Sequence, residues 1–273
     1  MIDKIKSTAD FILSKTNFKP EVGIILGSGL GGLVDKIKVE HTLEYSSIPG
    51  FPVSTVKGHG SKLIMGELGG KKVVAMQGRF HFYEGYSIQE VGFPVRVLKF
   101  LGINVLILSN ASGGVNPSYK VGDLMILDDH INLMGTNPLI GQNADELGPR
   151  FPDMSAPYDA TLIRKGLEIA KKHGFRCHKG VYAAVSGPCF ETRAEYKYIR
   201  VIGADTVGMS TVPEVITARH MNLPCFAISI ITDLGGSDEP EIITHEEVLR
   251  VANEAEIKMT TLIIELLQEC IGD

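Results

Sequence analysis

Tryptophan is absent from this 273-residue chain, and aromatic side chains make up only 7% of it. Four cysteines, Cys177, Cys189, Cys225 and Cys270, are scattered without a C-x-x-C pair. That spacing argues against a disulfide framework or a thiolate zinc site and reads as buried thiols in a reducing compartment. No stretch approaches the roughly 18 apolar residues of a membrane span. The opening MIDKIKSTADFILSK mixes charges with Ile and Leu at helical spacing, an amphipathic helix rather than a secretory leader. Positive charge is not in excess either: 27 Lys and Arg against 32 Asp and Glu leave a net charge of −5. A broad nucleic-acid footprint needs a basic face, whereas a few Arg and His can still hold one anion inside an acidic protein. The chain therefore reads as cytoplasmic, with neither nucleic acid nor membrane as a partner.

What is present is ordinary globular composition, 44% hydrophobic and 22% charged, in a chain long enough for one large α/β core. VGIIL, KVVAMQ, VLILS, VYAAVS and CFAISII read as strands. ATLIRKGLEIAKKHG, TRAEYKYIRVIG, PEVITARHMN and HEEVLRVANEAEIKMTTLIIELLQECI read as helices. Continuously apolar strands alternating with helices predict an α/β single domain over residues 1–273, its mixed, mostly parallel central β-sheet flanked by helices. Thr244 with Glu247, and Thr211 with Glu214, have the spacing of capping boxes. Gly174 and Gly203 fall where left-handed helix caps belong. Residues 135–158, rich in Gly, Pro and Asn, form a loop long enough to suggest a functional role.

Four clusters carry candidate chemistry. The first is VGIILGSGLGGLV, in which Gly27, Gly29 and Gly32 match G-x-G-x-x-G and Ser28 adds a hydroxyl. A dinucleotide, a single phosphate and no ligand all remain open there. Glu44 falls near the offset of a ribose-binding acid, but within HTLEYSSIPGFP rather than at the tip of an apolar strand. The second is MQGRFHFYEGYS, where Arg79 and His81 alternate with Phe80 and Phe82 and so share a face if extended. A guanidinium fork beside an imidazole suits a tetrahedral oxyanion, although a structural ion pair for Arg79 is an equally simple reading. His59 lies in a further loop. The third, NASGGVNP, ends the most apolar strand, where parallel sheets open onto ligands, with Asn110 and the Ala111 backbone in position. The fourth, running from Ser186 to His220, sets Phe190 and Glu191 before a helix and delivers Met209 and Ser210 just ahead of another. A helix N-terminus favours an anion, which Ser210 could share with Ser28.

GSGLGGL, GRFHFYEGY, NASGGVNP, RFPDMS, GPCFET, GADTVGMSTVPEVITARH and HEEVL stand here in an order that resembles purine nucleoside phosphorylases of the homotrimeric type, from about residue 20 to 260. The resemblance implies reversible phosphorolysis of purine nucleosides and 2′-deoxynucleosides to free base and (deoxy)ribose 1-phosphate, in purine salvage. Orthophosphate would be a co-substrate, with no metal and no organic cofactor. It places phosphate on Ser28, His59, Arg79, His81, Asn110, Ala111 and Ser210. It places the nucleoside on Tyr83, Phe190, Glu191, Val207, Met209, Asp233 and His245, with His81, Glu191, Asp233 and His245 as the catalytic groups. Assembly as a homotrimer is implied in the same way.

Two positions depart from that pattern. Asp233 stands where better-known members carry Asn, whose amide can donate to purine N7. An ionised Asp donates nothing, so its pKa would have to rise from about 3.9 to 7 or above. A neighbouring carboxylate such as Glu191 could raise it. Inosine and guanosine are therefore the expected substrates, with some tolerance for adenosine. Leu147 aligns with the family's subunit-crossing Phe, with Phe151 nearby, so aliphatic cover of a neighbour's ribose is expected. The competing classes are a nicotinamide dehydrogenase, a non-catalytic nucleoside-binding protein, and a methylthioadenosine phosphorylase. The last should carry an apolar residue in place of His245.

Overall fold

Residues 1–53, 60–235 and 243–270 are described in the computed structural model. Nine strands form one sheet: β1 (Val22–Leu26), β2 (Lys38–Glu44), β3 (Lys62–Leu68), β4 (Lys71–Gln77), β5 (Val105–Gly114), β6 (Leu124–Asn132), β7 (Cys177–Ala184), β8 (Thr206–Gly208) and β9 (Cys225–Leu234). Their order is β2-β3-β4-β1-β5-β8-β7-β6-β9, and β9 pairs back onto β5, so five strands close into a ring. β1 runs parallel to β4 and β5, β5 to β9, β6 to β7, and β7 to β8. The pairs β2–β3, β3–β4, β5–β8 and β6–β9 are antiparallel. The sheet is mixed and mostly parallel, as the strand–helix alternation predicts.

Among the described residues six α-helices accompany it: α1 (Ile2–Thr16), α2 (Ile88–Leu101), α3 (Ala160–Lys172), α4 (Arg193–Val201), α5 (Val212–His220) and α6 (His245–Cys270). α2 packs on α1 and α5, while α3 packs on α6 and against β6 and β7. Among the described residues no helix is long and apolar enough to cross a membrane. The expected caps are present at Gly174 and Gly203, both left-handed, and at Thr244, whose hydroxyl accepts from the Glu247 amide at 3.2 Å. Cys177 and Cys225 are shielded, and burial pushes both thiols up to about 12. Cys189 corrects the expectation of uniformly buried thiols, since it is exposed. It lies in the irregular stretch between β7 and α4.

The sheet's geometry explains where a ligand can sit. β5 is paired with β1 through Leu108 and with β8 from Gly113 onward. Between those points Ser109–Ser112 lose their neighbour on that edge, and a crevice opens at the strand ends, as at the switch points of open α/β sheets. All five residues of β1 are buried because strands flank it on both sides. β2 is the sheet's edge and is mostly exposed. Glu44 ends that edge strand in an exposed ion pair with Lys62 at 3.5 Å, three strands from β1.

The segment after β4 is locked from behind. Tyr45 is fully buried, donates its hydroxyl to the Gly78 carbonyl at 2.8 Å and packs its ring 5.3 Å from that of Phe80. Phe80 also meets Phe51, centroids 6.0 Å apart. With residues 78 and 80 fixed inward, Arg79 and His81 turn to the crevice. Tyr45→Phe leaves the buried carbonyl of Gly78 unsatisfied and should lower unfolding stability by about 1–3 kcal/mol. Urea denaturation measures this, and an unchanged midpoint would show that the bond contributes nothing.

Candidate active site

A cavity of about 360 Å³ opens at the carboxyl ends of β1, β4, β5, β8 and β9. Ser28 follows β1, Arg79 and His81 follow β4, and Asn110 and Ala111 belong to β5. Ser210 follows β8, and all six line the same cavity. Tyr83, Phe190, Glu191, Val207, Met209, Asp233 and His245 line it too. Every expected site residue is thus gathered in one place except His59, which lies outside the described residues.

The glycines that matter most are Gly27 and Gly32. A Cβ on Gly27 would stand 2.9 Å from the Ser109 carbonyl and 3.0 Å from the Asn110 Cα, so only glycine lets β1 end this close to β5. A Cβ on Gly32 would stand 2.6 Å from the Glu256 carboxylate of α6. After the loop the chain makes a short 3₁₀ helix, Gly31–Lys36, whose Leu33 amide donates to Glu256 Oε1 at 3.1 Å. Burial raises the Glu256 carboxyl above its usual range, opposed by bonds from the Leu33 and Gly32 amides. A carboxylate from the chain itself occupies the place a pyrophosphate would need. The dinucleotide reading of the G-x-G-x-x-G match ends there.

Arg79 is 1% exposed and doubly anchored: Nε donates to Glu214 Oε1 at 2.9 Å and Nη1 to the Ser109 carbonyl at 2.5 Å. It is at once a structural ion pair and a cavity wall. Glu214 therefore does not cap α5 with Thr211. Thr211 makes no side-chain cap bond, and the expected capping box is absent because both side chains are committed elsewhere. The Thr211 hydroxyl accepts from Asn110 Nδ2 at 2.9 Å, while Asn110 Oδ1 accepts from Ser229 at 2.6 Å. These bonds fix the amide and leave its second hydrogen as a donor toward the cavity among the described residues. Thr211 has φ 67° and ψ −52°, and the Val212 amide donates to the Ser210 carbonyl at 2.7 Å. This is the rare, strained γ-turn, of the kind that concentrates at functional sites. It aims Ser210 inward, helped by the Ser210 amide donating to Tyr182 Oη at 3.3 Å.

His81 donates from Nδ1 to Glu84 Oε1 at 3.1 Å, the only direction a carboxylate allows. The Tyr83 ring stacks on it at 4.6 Å. Burial pushes His81 below its ordinary pKa, opposed by the bond to Glu84. Burial also raises the Tyr83 phenol to about 12. His245 Nε2 is buried without a partner among the described residues, an imidazole nitrogen awaiting a ligand's hydrogen bond. At the opposite end Glu191, Tyr196 and Asp233 come together, and Tyr196 donates to Asp233 Oδ2 at 2.9 Å. Burial raises the Glu191 carboxyl, and the charge of Asp233 adds to it.

The model described as the phosphorylase superfamily matches residues 21–268. The chain belongs to the phosphorylase superfamily. Its relatives in this superfamily include purine nucleoside phosphorylase 1 of Bacillus subtilis (strain 168), 50% identical over 96% of this chain and 97% of that protein. A crystal structure of Schistosoma mansoni purine nucleoside phosphorylase in complex with adenosine superposes with a TM-score of 0.95. It is 43% identical and covers 100% of this chain and 99% of that one. The complex of the Schistosoma mansoni protein with inosine superposes equally, at 0.95 and 43% identity, over 100% and 98% of the two chains.

Motif reading missed Glu214, Thr211, Tyr182 and Tyr196, and it misplaced Leu147. That leucine is 5% exposed within the chain's own core, so it cannot cover a neighbour's ribose, whereas Phe151 is 87% exposed. Replacing Glu214 by Gln strips the buried guanidinium of its counter-charge. Glu214→Gln should cost about 3–5 kcal/mol in unfolding experiments, the usual effect of breaking a buried pair. A loss near zero would mean that Arg79 is neutralised from elsewhere.

Proposed function

We propose that this superfamily member is a purine nucleoside phosphorylase. It would cleave purine ribo- and 2′-deoxyribonucleosides with orthophosphate, reversibly, to free base and (deoxy)ribose 1-phosphate. What supports the reading is one cavity lined both by Ser28, Arg79, His81, Asn110 and Ser210, side chains suited to an oxyanion, and by Glu191 and Asp233, side chains suited to the nitrogen edge of a purine.

The chemistry follows from charge. Phosphate is held by the Arg79 guanidinium, the Ser28 and Ser210 hydroxyls, the Asn110 amide and the Ala111 backbone. Because burial keeps His81 neutral near pH 7, its ring, donating from Nδ1 to Glu84, presents Nε2 as an acceptor for the P–OH of monohydrogen phosphate. A phosphate oxygen forms a bond to C1′ as the C1′–N9 bond breaks and its electron pair enters the purine. Preorganised donors facing developing charge are often the largest catalytic term, about 3–4 kcal/mol for one well-placed group. Tyr83 and Met209 wall the ribose, and His245 meets its 5′-hydroxyl, which a 5′-methylthio substrate could not satisfy. Phe190 and Val207 hold the base, Glu191 accepts from N1–H of a 6-oxopurine, and Asp233 donates to N7. The nucleophile arrives already ionised, so the reaction needs neither metal nor organic cofactor.

The same reading includes a cytoplasmic homotrimer. Phe151 is the exposed aromatic of segment 135–158 and is the side chain we assign to a neighbouring subunit's ribose in place of Leu147. The direct test is an assay over inosine, guanosine, adenosine and xanthosine, with and without phosphate. Inosine and guanosine should be cleaved fastest and adenosine more slowly, and omission of phosphate should abolish base release. Base release that is independent of phosphate would contradict the reading.

A further inference from the structure

Ser28 sits in a loop with little in its own sequence to hold it. Of residues 27–32 four are glycine, and glycine loses more conformational freedom on ordering than any other residue. The 3₁₀ helix that follows, Gly31–Lys36, starts from Leu30, whose side chain makes no cap bond. Its first amides therefore need an acceptor from elsewhere. Helix α6 supplies one. His245 and Val248 of α6 line the cavity, and a Cβ on Gly29 would stand 2.9 Å from the Ala252 Cβ and 3.2 Å from the Leu249 carbonyl. One turn further on, Glu256 Oε1 accepts from the Leu33 amide at 3.1 Å. Residues 245, 248, 249, 252 and 256 recur at helical spacing, so one stripe of α6 runs from the cavity wall along the back of the Ser28 loop. Within the loop the Leu30 amide donates to the Gly27 carbonyl at 3.2 Å, and the Leu30 and Leu33 side chains are buried. Glu256 brings a charged acceptor to this seam.

We propose that Glu256 is a positioning residue for phosphate: its carboxylate, bound to the Leu33 amide, keeps the Ser28 loop in the conformation that the anion meets. The inference rests on the phosphorolytic activity proposed above. With the carboxylate removed, the Leu33 amide loses its acceptor and the glycine-rich loop samples other conformations. Phosphate then binds only the fraction of molecules in which the loop is in place, and its apparent affinity falls by that fraction. The anion site persists in weakened form, because Arg79 is anchored by Glu214 and the Ser109 carbonyl and not by Glu256. At saturating phosphate the anion itself orders the loop, so turnover is unchanged. A residue that merely stabilised the fold would act the other way. Its loss would reduce the amount of active protein, and hence the apparent kcat, with the KM for phosphate unmoved.

The test is steady-state cleavage of inosine with inorganic phosphate as the varied substrate. In Glu256→Ala the KM for phosphate should rise about 10-fold, the effect of losing one hydrogen bond to a charged group, while kcat stays unchanged. Glu256→Gln keeps an oxygen for the Leu33 amide. It should return that KM to within about 3-fold of wild type, because a neutral acceptor makes roughly half the bond of a charged one. Gly32→Ala reaches the same contact from the loop, since its Cβ would stand 2.6 Å from Glu256 Oε2 and displace the carboxylate. Alone it should raise the KM for phosphate, and added to Glu256→Ala it should change nothing further. An unchanged phosphate KM in Glu256→Ala, a loss confined to kcat, or a further rise in the double variant would overturn the assignment. If Glu256→Ala does not fold, Gly32→Ala decides by the same KM, and an unchanged value there overturns it. Wild-type protein that releases base without phosphate would overturn the functional reading, and the assignment with it.

Discussion

Arg79 is a cation almost sealed from water, and the architecture around the cavity is what makes that tolerable. Removing a charge from solvent costs several kcal/mol even after relaxation, and only good geometry with satisfied donors offsets it. Glu214 supplies the counter-charge and the Ser109 carbonyl accepts a second donor. Those two anchors come from α5 and β5, so the ion pair ties together elements that converge at the crevice. A guanidinium fixed in this way cannot swing to follow a ligand. Its donors are held in place in advance, and on the function proposed above such preorganisation in a dry site is worth far more than in water.

The same economy of fixed groups runs around the rim. Asn110 is held by Ser229 and Thr211, His81 by Glu84 and Tyr83, and Ser210 by a strained turn. The opposite end is built differently. There, burial raises the Glu191 carboxyl, and the Tyr196 hydroxyl donates to Asp233 Oδ2 at 2.9 Å. One cavity therefore joins firmly held hydrogen-bond donors to a wall that carries carboxyl groups.

Much of this was legible in the sequence, for identifiable reasons. β1 and the first half of β5 are buried on both faces, so their apolar runs announce themselves. Arg79 and His81 alternate with phenylalanines, and Tyr45 and Phe51 hold Phe80 inward as that alternation implies. Helix α2 was not legible, because Gly92 and Pro94 interrupt it. Its Ser87–Glu90 capping box and close packing on Thr217, which a Cβ at residue 92 would strike, supply what propensity lacks. β8 is only three residues long and exists because β5 and β7 flank it. β2, β3 and β6 also went unread as strands. Thr211–Glu214 has the spacing of a helix start, yet tertiary demands from Asn110 and Arg79 override that local signal. Tyr196 sits at a core position of an amphipathic helix, and nothing in the spacing of α4 says that its hydroxyl reaches the Asp233 carboxyl on β9. Leu147 failed for the converse reason: alignment assigned it to a neighbour, whereas its own core claims it.

The account depends on separate strand ends sharing one inorganic anion. Its most direct test is a crystal structure of the protein with phosphate and a non-hydrolysable inosine analogue. It should show one tetrahedral anion hydrogen-bonded to the Arg79 guanidinium, the Ser28 and Ser210 hydroxyls and the Asn110 amide, beneath the sugar. An analogue seated in the cavity with phosphate bound elsewhere, or not at all, would contradict it.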